Sequence, residues 1–267
     1  MTSAPAAQAS QAPAARTSGT PRHVLVTGGG TGIGRAIAAR FASRGDTVTV
    51  TGRRAAPLEA AAKETGAEPV VCDHTDPEQL AALLERLPER VGVLVNNAGG
   101  QTDFGAPDED GEAGEGGASG LASYARRFRA NLEANLITAA LTTHALTDRL
   151  AEGGAVIHLG SIAADKGNGA YGAAKAGLAA WNVGLARELG VRGITANVVS
   201  PGYIAETEFF GDALTGERRN QLVADTALKR AGVPEDVAET VAFLASEGGR
   251  HITGQVIAVN GGAHSTR

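Results

Sequence analysis

The 267-residue sequence predicts an α/β fold with one parallel sheet of about seven strands and helices on both faces. Short β-branched runs alternate with longer Ala- and Leu-rich segments, and each run stops at a polar or Gly-rich loop. Alternating strands and helices favour parallel pairing, which gathers the loops after the strands at one edge of the sheet. We therefore expect a single-domain, doubly wound Rossmann-type sheet with its ligand crevice at that edge.

Each element has its own signal. Apolar runs predict strands at residues 23–27, 47–51, 69–72, 91–95, 155–159, 194–199 and 256–259. Helical periodicity predicts helices at 35–43, 57–65, 77–85, 173–188 and from Pro234 to near Ser246. Asp76 before Pro77 is typical of a helix N-cap followed by the first helical residue.

Composition excludes several classes of function. The 24 basic and 29 acidic residues give a net charge of −5 with no basic stripe, which argues against nucleic acid or an anionic membrane as partner. No apolar stretch approaches the ~20 residues that cross a bilayer. The single cysteine, Cys72, ends an apolar run and is predicted to be a buried strand residue rather than a nucleophile. A reducing, cytoplasmic location is expected.

Differences in composition along the chain predict a leader, one domain and an insertion within that domain. Residues 1–21 are rich in Ala and Pro without the apolar core of a signal peptide, and we expect a disordered leader there. Residues 22–267 then form the domain. Within it, residues 101–120 are an acidic, Gly-rich insertion that predicts either a solvated loop or a lid over the substrate.

The first strand leads into a Gly-rich turn with the spacing Gly28-x3-Gly32-x-Gly34, which includes Thr31 and Ile33. A strand, a Gly-rich turn and a helix N-terminus together can hold a pyrophosphate through backbone N–H groups. The alternative is a purely structural turn. No group of residues has metal-ligand spacing, and His74 is interpreted as a loop histidine.

The second strand ends on Gly52-Arg53-Arg54, where an NAD-binding fold places a carboxylate for the ribose 2′-hydroxyl. Guanidinium groups suit a 2′-phosphate instead, so NADP(H) is favoured over NAD(H), with Arg53 as the principal contact. The alternative is two solvated arginines. Asp73, after the third strand, is a candidate contact to the adenine.

A proton-transfer site is predicted between Ser161 and Lys175. Ser161 ends a strand, and Tyr171 and Lys175 stand four apart at the start of an Ala-rich segment; if that segment is helical, the two side chains share one face. The ammonium is expected to lower the phenol pKa from near 10 and to make Tyr171 a proton donor or acceptor.

These residues, with Asn96-Asn-Ala-Gly99, strongly resemble the motifs of the short-chain dehydrogenase/reductases. Ser200-Pro-Gly202, Arg230-x-Gly-x-Pro-Glu-Asp-Val237 and Asn260-Gly-Gly262 resemble the branch that contains 3-oxoacyl-carrier-protein reductases. The resemblance covers about residues 22 to 263 and implies a nicotinamide-dependent oxidoreductase.

The resemblance also implies roles for individual residues. Ser161 would hold the substrate oxygen, Tyr171 would transfer the proton, and Lys175 would bind the nicotinamide ribose. A fourth catalytic residue would be Asn135, chosen over Asn131 because Ala145 follows it by ten residues as in the family; Asn131 is interpreted as a helix-surface residue. The cofactor would further contact Gly28, Thr31, Gly32, Ile33, Gly34, Asn97, Ala98, Gly99, Pro201, Gly202, Ile204 and Thr207.

We therefore expect an NADPH-dependent reductase of a ketone or 3-oxoacyl-type carbonyl. An NAD-dependent secondary-alcohol dehydrogenase acting on a steroid or polyol, and a non-catalytic nucleotide sensor, are the alternatives. Residues 205–227 are expected to cover the small-molecule carbonyl substrate, with Phe209 and Phe210 either contacting it or packed on the core. The helix at 173–188 would form the subunit interface of a homodimer or homotetramer.

Overall fold

A computed structural model describes residues 21–102, 118–209 and 214–265. In these ranges seven strands form one sheet in the order β3-β2-β1-β4-β5-β6-β7, and every neighbouring pair is parallel. The strands are β1 (His23–Thr27), β2 (Thr47–Gly52), β3 (Glu68–Val71), β4 (Val91–Asn96), β5 (Leu150–Leu159), β6 (Thr195–Pro201) and β7 (Val256–Val259). The predicted fold class is confirmed.

Helices cover both faces of the sheet. They are α1 (Gly32–Ala42), α2 (Ala55–Thr65), α3 (Pro77–Arg86), α4 (Ala118–Leu132), α5 (Thr138–Leu146), α6 (Ala163–Lys166), α7 (Gly169–Gly190), α8 (Gly216–Ala224) and α9 (Pro234–Leu244). Helices α1, α2 and α9 pack on one face, and α3, α5 and α7 pack on the other. Asp76 caps α3 through the Glu78 and Gln79 amides, as predicted.

The central strands are apolar along their length because both faces are covered. Successive residues point to opposite faces, so Leu25 and Leu94 belong to one core cluster while Val26 and Val95 belong to the other. These four side chains have no solvent exposure. The crossover connections between consecutive strands make the strands parallel, and this brings their carboxyl ends to one edge.

Some boundaries differ from the predicted ones. Helix α1 begins at Gly32 rather than Arg35, and β5 begins at Leu150 rather than Ala155. A π-helical turn at Glu133–Ile137 separates α4 from α5. Helices α6 and α8 were not predicted, because α6 has only four residues and α8 is mostly polar, with Leu222 and Val223 as its only large apolar residues.

Three predictions concern residues outside the described ranges: the leader up to residue 20, positions 103–117 of the acidic insertion, and Phe210. Among the helices that are described, none is both long enough and apolar enough to cross a membrane.

Candidate active site

The Gly-rich turn lies between β1 and α1 at the carboxyl edge of the sheet. Gly28 has a φ of +64°, which favours glycine, and a Cβ on Gly34 would overlap the Gly28 carbonyl oxygen. Thr31 does not cap α1 with its side chain, and no acidic residue occupies the first turn. The first amides of α1 are therefore available to an anion, as a bound pyrophosphate requires.

Thr27 and Asn97 join the ends of β1 and β4 beneath this turn. The Thr27 hydroxyl accepts hydrogen bonds from the backbone amides of Asn97, at 3.0 Å, and Ala98, at 2.9 Å. The Asn97 side-chain amide donates to the carbonyl oxygens of Thr27 and Gly28, both at 3.0 Å. Asn97 therefore holds the turn in place, in addition to the adenosine contact expected of it.

Charged residues surround the expected adenosine end of the crevice. The Asp73 carboxylate accepts from the Thr75 amide at 3.0 Å and the Thr75 hydroxyl at 2.8 Å, and these bonds lower the Asp73 pKa. The positive charge of Arg53 lowers it further, which places Arg53 and Asp73 at the same end. Arg54 forms an ion pair with Glu208 at 2.7 Å.

Ser161, Tyr171 and Lys175 come together where β5 ends against α7. The Ser161 hydroxyl lies close enough to the Tyr171 hydroxyl to lower the Tyr171 pKa. The Ala163 amide donates to Ser161 Oγ at 3.1 Å and orients that side chain. Lys175 Nζ lies 5.8 Å from the centre of the Tyr171 ring and donates to the Leu159 carbonyl oxygen at 2.7 Å. The three predicted side chains therefore form one cluster, in which Tyr171 and Lys175 are buried and Ser161 is partly exposed.

The predicted direction of the Tyr171 pKa shift was wrong for this structure. Burial raises the Tyr171 pKa to about 12, against a smaller opposing effect of the Ser161 hydrogen bond. The Lys175 ammonium donates to Leu159 rather than to the phenol, and burial lowers the Lys175 pKa to about 8. Tyr171 is therefore protonated at neutral pH.

Asn135 lies in the π-helical turn and binds the loop that follows β4. Its side-chain oxygen accepts from the Gly100 amide at 3.0 Å, and its side-chain nitrogen donates to the Gly100 carbonyl oxygen at 2.9 Å. The interpretation of Asn131 as a surface residue was wrong, because Asn131 is fully buried and donates to the Arg127 carbonyl oxygen at 3.1 Å.

The loop after β6 runs along the opposite wall of the crevice. Pro201 ends β6, the Gly202 amide donates to the Val259 carbonyl oxygen at 3.0 Å, and Ile204 is buried. A Cβ on Gly32 would lie 3.3 Å from the Thr207 methyl carbon, so Thr207 faces the Gly-rich turn across the crevice. The Phe209 ring centre lies 5.6 Å from that of Tyr171.

Two buried histidines near the site were not identified as such from the sequence. His74, interpreted as a loop residue, is buried and hydrogen-bonded at 2.7 Å to the hydroxyl groups of Thr51 and Thr142. His158 is completely buried, and its Nδ1 lies 3.1 Å from the Asn96 side-chain nitrogen. The sequence does contain a signal that could have identified His158, because it is the single polar residue within the apolar run at 155–159.

The parallel sheet, the Gly-rich turn and the Ser–Tyr–Lys cluster at one edge define a class: a Rossmann-fold oxidoreductase that depends on a nicotinamide nucleotide. The family model described as enoyl-(acyl carrier protein) reductase matches residues 28–264. The chain belongs to the short-chain dehydrogenase/reductase family.

Individual relatives agree with this membership. The Escherichia coli K12 3-oxoacyl-[acyl-carrier-protein] reductase FabG is 36% identical over 249 residues, which cover 90% of this chain and 96% of FabG. The solved structure of a blue fluorescent protein from a metagenomic library, in complex with NADPH, is 34% identical with a TM-score of 0.77, covering 93% of this chain and all of that one. A Burkholderia cenocepacia short chain dehydrogenase in complex with NADP is 32% identical with a TM-score of 0.76, covering 91% of this chain and 97% of that one.

Proposed function

We propose that this enzyme is an NADPH-dependent reductase of a ketone or 3-oxoacyl-type carbonyl, with Tyr171 as the proton donor. One observation carries the proposal: Ser161 at the carboxyl end of β5 and Tyr171 on α7 lie close enough for the Ser161 hydroxyl to lower the Tyr171 pKa, and Lys175 Nζ lies 5.8 Å from the centre of the Tyr171 ring. Two adjacent hydroxyl groups suit a single carbonyl oxygen, which can accept one hydrogen bond from each.

Each residue of the cluster has a separate role in the proposed reaction. NADPH, when bound, would supply the hydride that the carbonyl carbon accepts. Ser161 donates a hydrogen bond to the carbonyl oxygen and fixes its position, and Tyr171 transfers its hydroxyl proton to that oxygen as negative charge develops. Lys175 stabilises the phenolate that remains and binds the nicotinamide ribose, as the family resemblance implies. Asn135 supports the site by holding the Gly100 backbone.

The preference for NADP(H) is supported by charge at the end of β2. Arg53 and Arg54 stand where an NAD-specific site carries a carboxylate, and the acidic residue nearest before β2, Asp46, is paired with Arg22 at 3.0 Å. Two guanidinium groups provide bidentate donors for a 2′-phosphate. The NADPH and NADP complexes of the similar structures agree with this preference.

The substrate class follows from the resemblance to the 3-oxoacyl-carrier-protein reductases. The decisive experiment measures the decrease in NADPH absorbance with acetoacetyl thioesters, quinones, steroids and cyclic ketones, and repeats it with NADH. We expect turnover of a ketone or thioester and a higher kcat/KM with NADPH. Turnover of a secondary alcohol with NAD alone would support the dehydrogenase alternative, and nucleotide binding without any turnover would support a sensor.

The assembly proposed for this enzyme is a homodimer or homotetramer in the cytoplasm. Apolar side chains on α4 and α7 are exposed in the single chain, among them Leu121 at 66% and Tyr124 at 59%. Such a patch on neighbouring helices is typical of an interface between subunits. The free, buried Cys72 agrees with a reducing compartment.

A further inference from the structure

Residues 205–209, which we call the strap, cross the crevice between the Gly-rich turn and the catalytic cluster. Thr207 faces Gly32 at the start of α1, and two residues later the Phe209 ring lies 5.6 Å from the ring of Tyr171. Glu206 has a φ of +59°, an uncommon conformation for a residue other than glycine, and it turns the chain across the crevice. The strap therefore spans the path that a bound dinucleotide would follow.

Between these two contacts, Glu208 of the strap forms an ion pair with Arg54, which lies at the end of the crevice next to α2. Its carboxylate oxygen lies 2.7 Å from a guanidinium nitrogen of Arg54, the residue that directly precedes α2. The ion pair joins residues 154 positions apart, and both side chains are more than 60% exposed, at 63% for Arg54 and 62% for Glu208. An exposed pair of this kind is weak and can exchange partners.

The 2′-phosphate of NADP(H) is a stronger partner for Arg54 than one carboxylate. A phosphate monoester carries a charge of about −1.5 to −2 near pH 7 and offers three acceptor oxygens. A guanidinium binds such a group through two parallel hydrogen bonds. A phosphate on Arg54 would also repel the Glu208 carboxylate beside it. Arg54 therefore has two competing anions, one from the cofactor and one from the strap.

We propose that Glu208 is a cofactor-specificity residue that competes with the 2′-phosphate for Arg54. This inference rests on the proposed preference for NADP(H). Glu208 opposes NADPH, which must displace it, and has no such effect on NADH, which leaves the Arg54–Glu208 pair intact. Glu208 thus reduces the difference in affinity between NADPH and NADH. It does so from the strap, which belongs to the segment expected to cover the substrate.

The test measures dissociation constants for NADPH and for NADH, by cofactor fluorescence, in four proteins: wild type, Glu208→Gln, Arg54→Gln and the double variant. Glu208→Gln is expected to tighten NADPH binding about two- to fivefold, the range of an exposed ion pair, and to leave NADH binding unchanged. In the Arg54→Gln background the same substitution should have no effect, because the guanidinium for which Glu208 and the 2′-phosphate compete is absent. Raising the salt concentration should reduce the effect of Glu208→Gln.

Glu206→Gln is the matched control, because it removes an exposed carboxylate from the same strap at a residue that does not face Arg54. It should leave the ratio of the two dissociation constants as in wild type. An equal change for NADPH and NADH in Glu208→Gln, the same change in the Arg54→Gln background, or an equal effect of Glu206→Gln would overturn the inference.

The outcomes also separate this inference from the proposed function. A wild-type enzyme that prefers NADPH, combined with an inert Glu208→Gln substitution, overturns the role of Glu208 alone. A preference for NADPH that survives Arg54→Gln assigns the 2′-phosphate to Arg53 and again overturns only the competition. A wild-type preference for NADH overturns the proposed NADP(H) dependence, and the inference with it.

Discussion

The Tyr171 side chain is buried on α7, beside Ser161 at the end of β5. Burial disfavours the phenolate and raises the Tyr171 pKa to about 12. A donor with a raised pKa keeps its proton until a substrate oxygen can accept it. The residue is therefore in the protonation state that the proposed carbonyl reduction requires at neutral pH.

Replacing Tyr171 with phenylalanine tests this role. Because general acid catalysis contributes a factor on the order of 10² or more, Tyr171→Phe should lower kcat at least that much in the NADPH absorbance assay. The dissociation constant for NADPH should change little, since the ring and its packing remain. Tyr124→Phe removes an exposed hydroxyl from α4 and should retain full activity. Unchanged turnover in Tyr171→Phe would exclude the tyrosine as the proton donor.

The two buried histidines predict how stability depends on pH. Burial lowers the pKa of His74 to about 4 and that of His158 to about 3, with the charge of Lys175 adding to the effect on His158. In the unfolded chain both groups bind protons near pH 6.5. Between these values the unfolded state binds more protons, so stability is fully present above about pH 6.5 and is lost as the pH falls toward 4.

Urea unfolding between pH 4.5 and 7 measures this loss. Each histidine should contribute a slope of up to about 1.4 kcal/mol per pH unit below pH 6.5. His158→Asn, which keeps a polar group beside Asn96, should reduce the slope by up to about 1.4 kcal/mol per pH unit. His144→Asn, at an exposed position on α5, should leave it unchanged. Parallel pH profiles for wild type and His158→Asn would contradict the assignment.

Among the elements, the turn between β1 and α1 and the π-helical turn between α4 and α5 both position loops at the carboxyl edge of the sheet. The first depends on the absence of a side chain at Gly34, where a Cβ would overlap the Gly28 carbonyl oxygen. The second places Asn135 against Gly100, and π-helical turns inside helices are frequent at functional sites. Both are departures from regular structure that position the site.

The Gly-rich turn gives a prediction at this scale. Gly34→Ala forces the Cβ against backbone, so it should lower the free energy of unfolding by about 1–3 kcal/mol and weaken NADPH binding through displacement of the turn. Gly190→Ala, at the end of α7, meets no atom within 4 Å and should leave both quantities near wild type. Thermal unfolding and NADPH titration measure the two effects. Wild-type NADPH affinity in Gly34→Ala would show that the close packing is dispensable.

At the scale of the whole molecule, the sheet places its ligand residues at one edge and leaves helices exposed on the outside. Tyr124 on α4 and Val183 on α7 are exposed at 59% and 42%, although both helices are otherwise packed on the body of the protein. Apolar side chains on such a surface are stabilised when a second copy covers them.

Charged substitutions test the proposed assembly. Tyr124→Asp and Val183→Asp should each shift the protein toward a smaller species in size-exclusion chromatography with light scattering, because a buried, unpaired carboxylate destabilises an interface. Val191→Asp, at an 87% exposed position just past α7, serves as the control and should leave the mass unchanged. A wild-type protein that is already monomeric would contradict the proposal.

The sequence predicted the seven strands, the Gly-rich turn and the Ser161, Tyr171 and Lys175 cluster because each follows from local spacing. The break in the helix at Glu133–Ile137 could not be predicted, since a π-helical turn has no periodicity of its own. The sequence also suggested the wrong direction for the Tyr171 pKa, because a spacing of four places Lys175 on the same face without stating which oxygen its ammonium binds.

By itself the sequence determined the order of the elements, membership of the family and the identity of the polar residues at the strand ends. Only the tertiary structure decided which of these groups are buried and which meet: His74 contacts Thr142, 68 positions away, and Glu208 contacts Arg54, 154 positions away. Local patterns encode strands, helices and turns, whereas desolvation and long-range pairing depend on the packed arrangement of the whole chain.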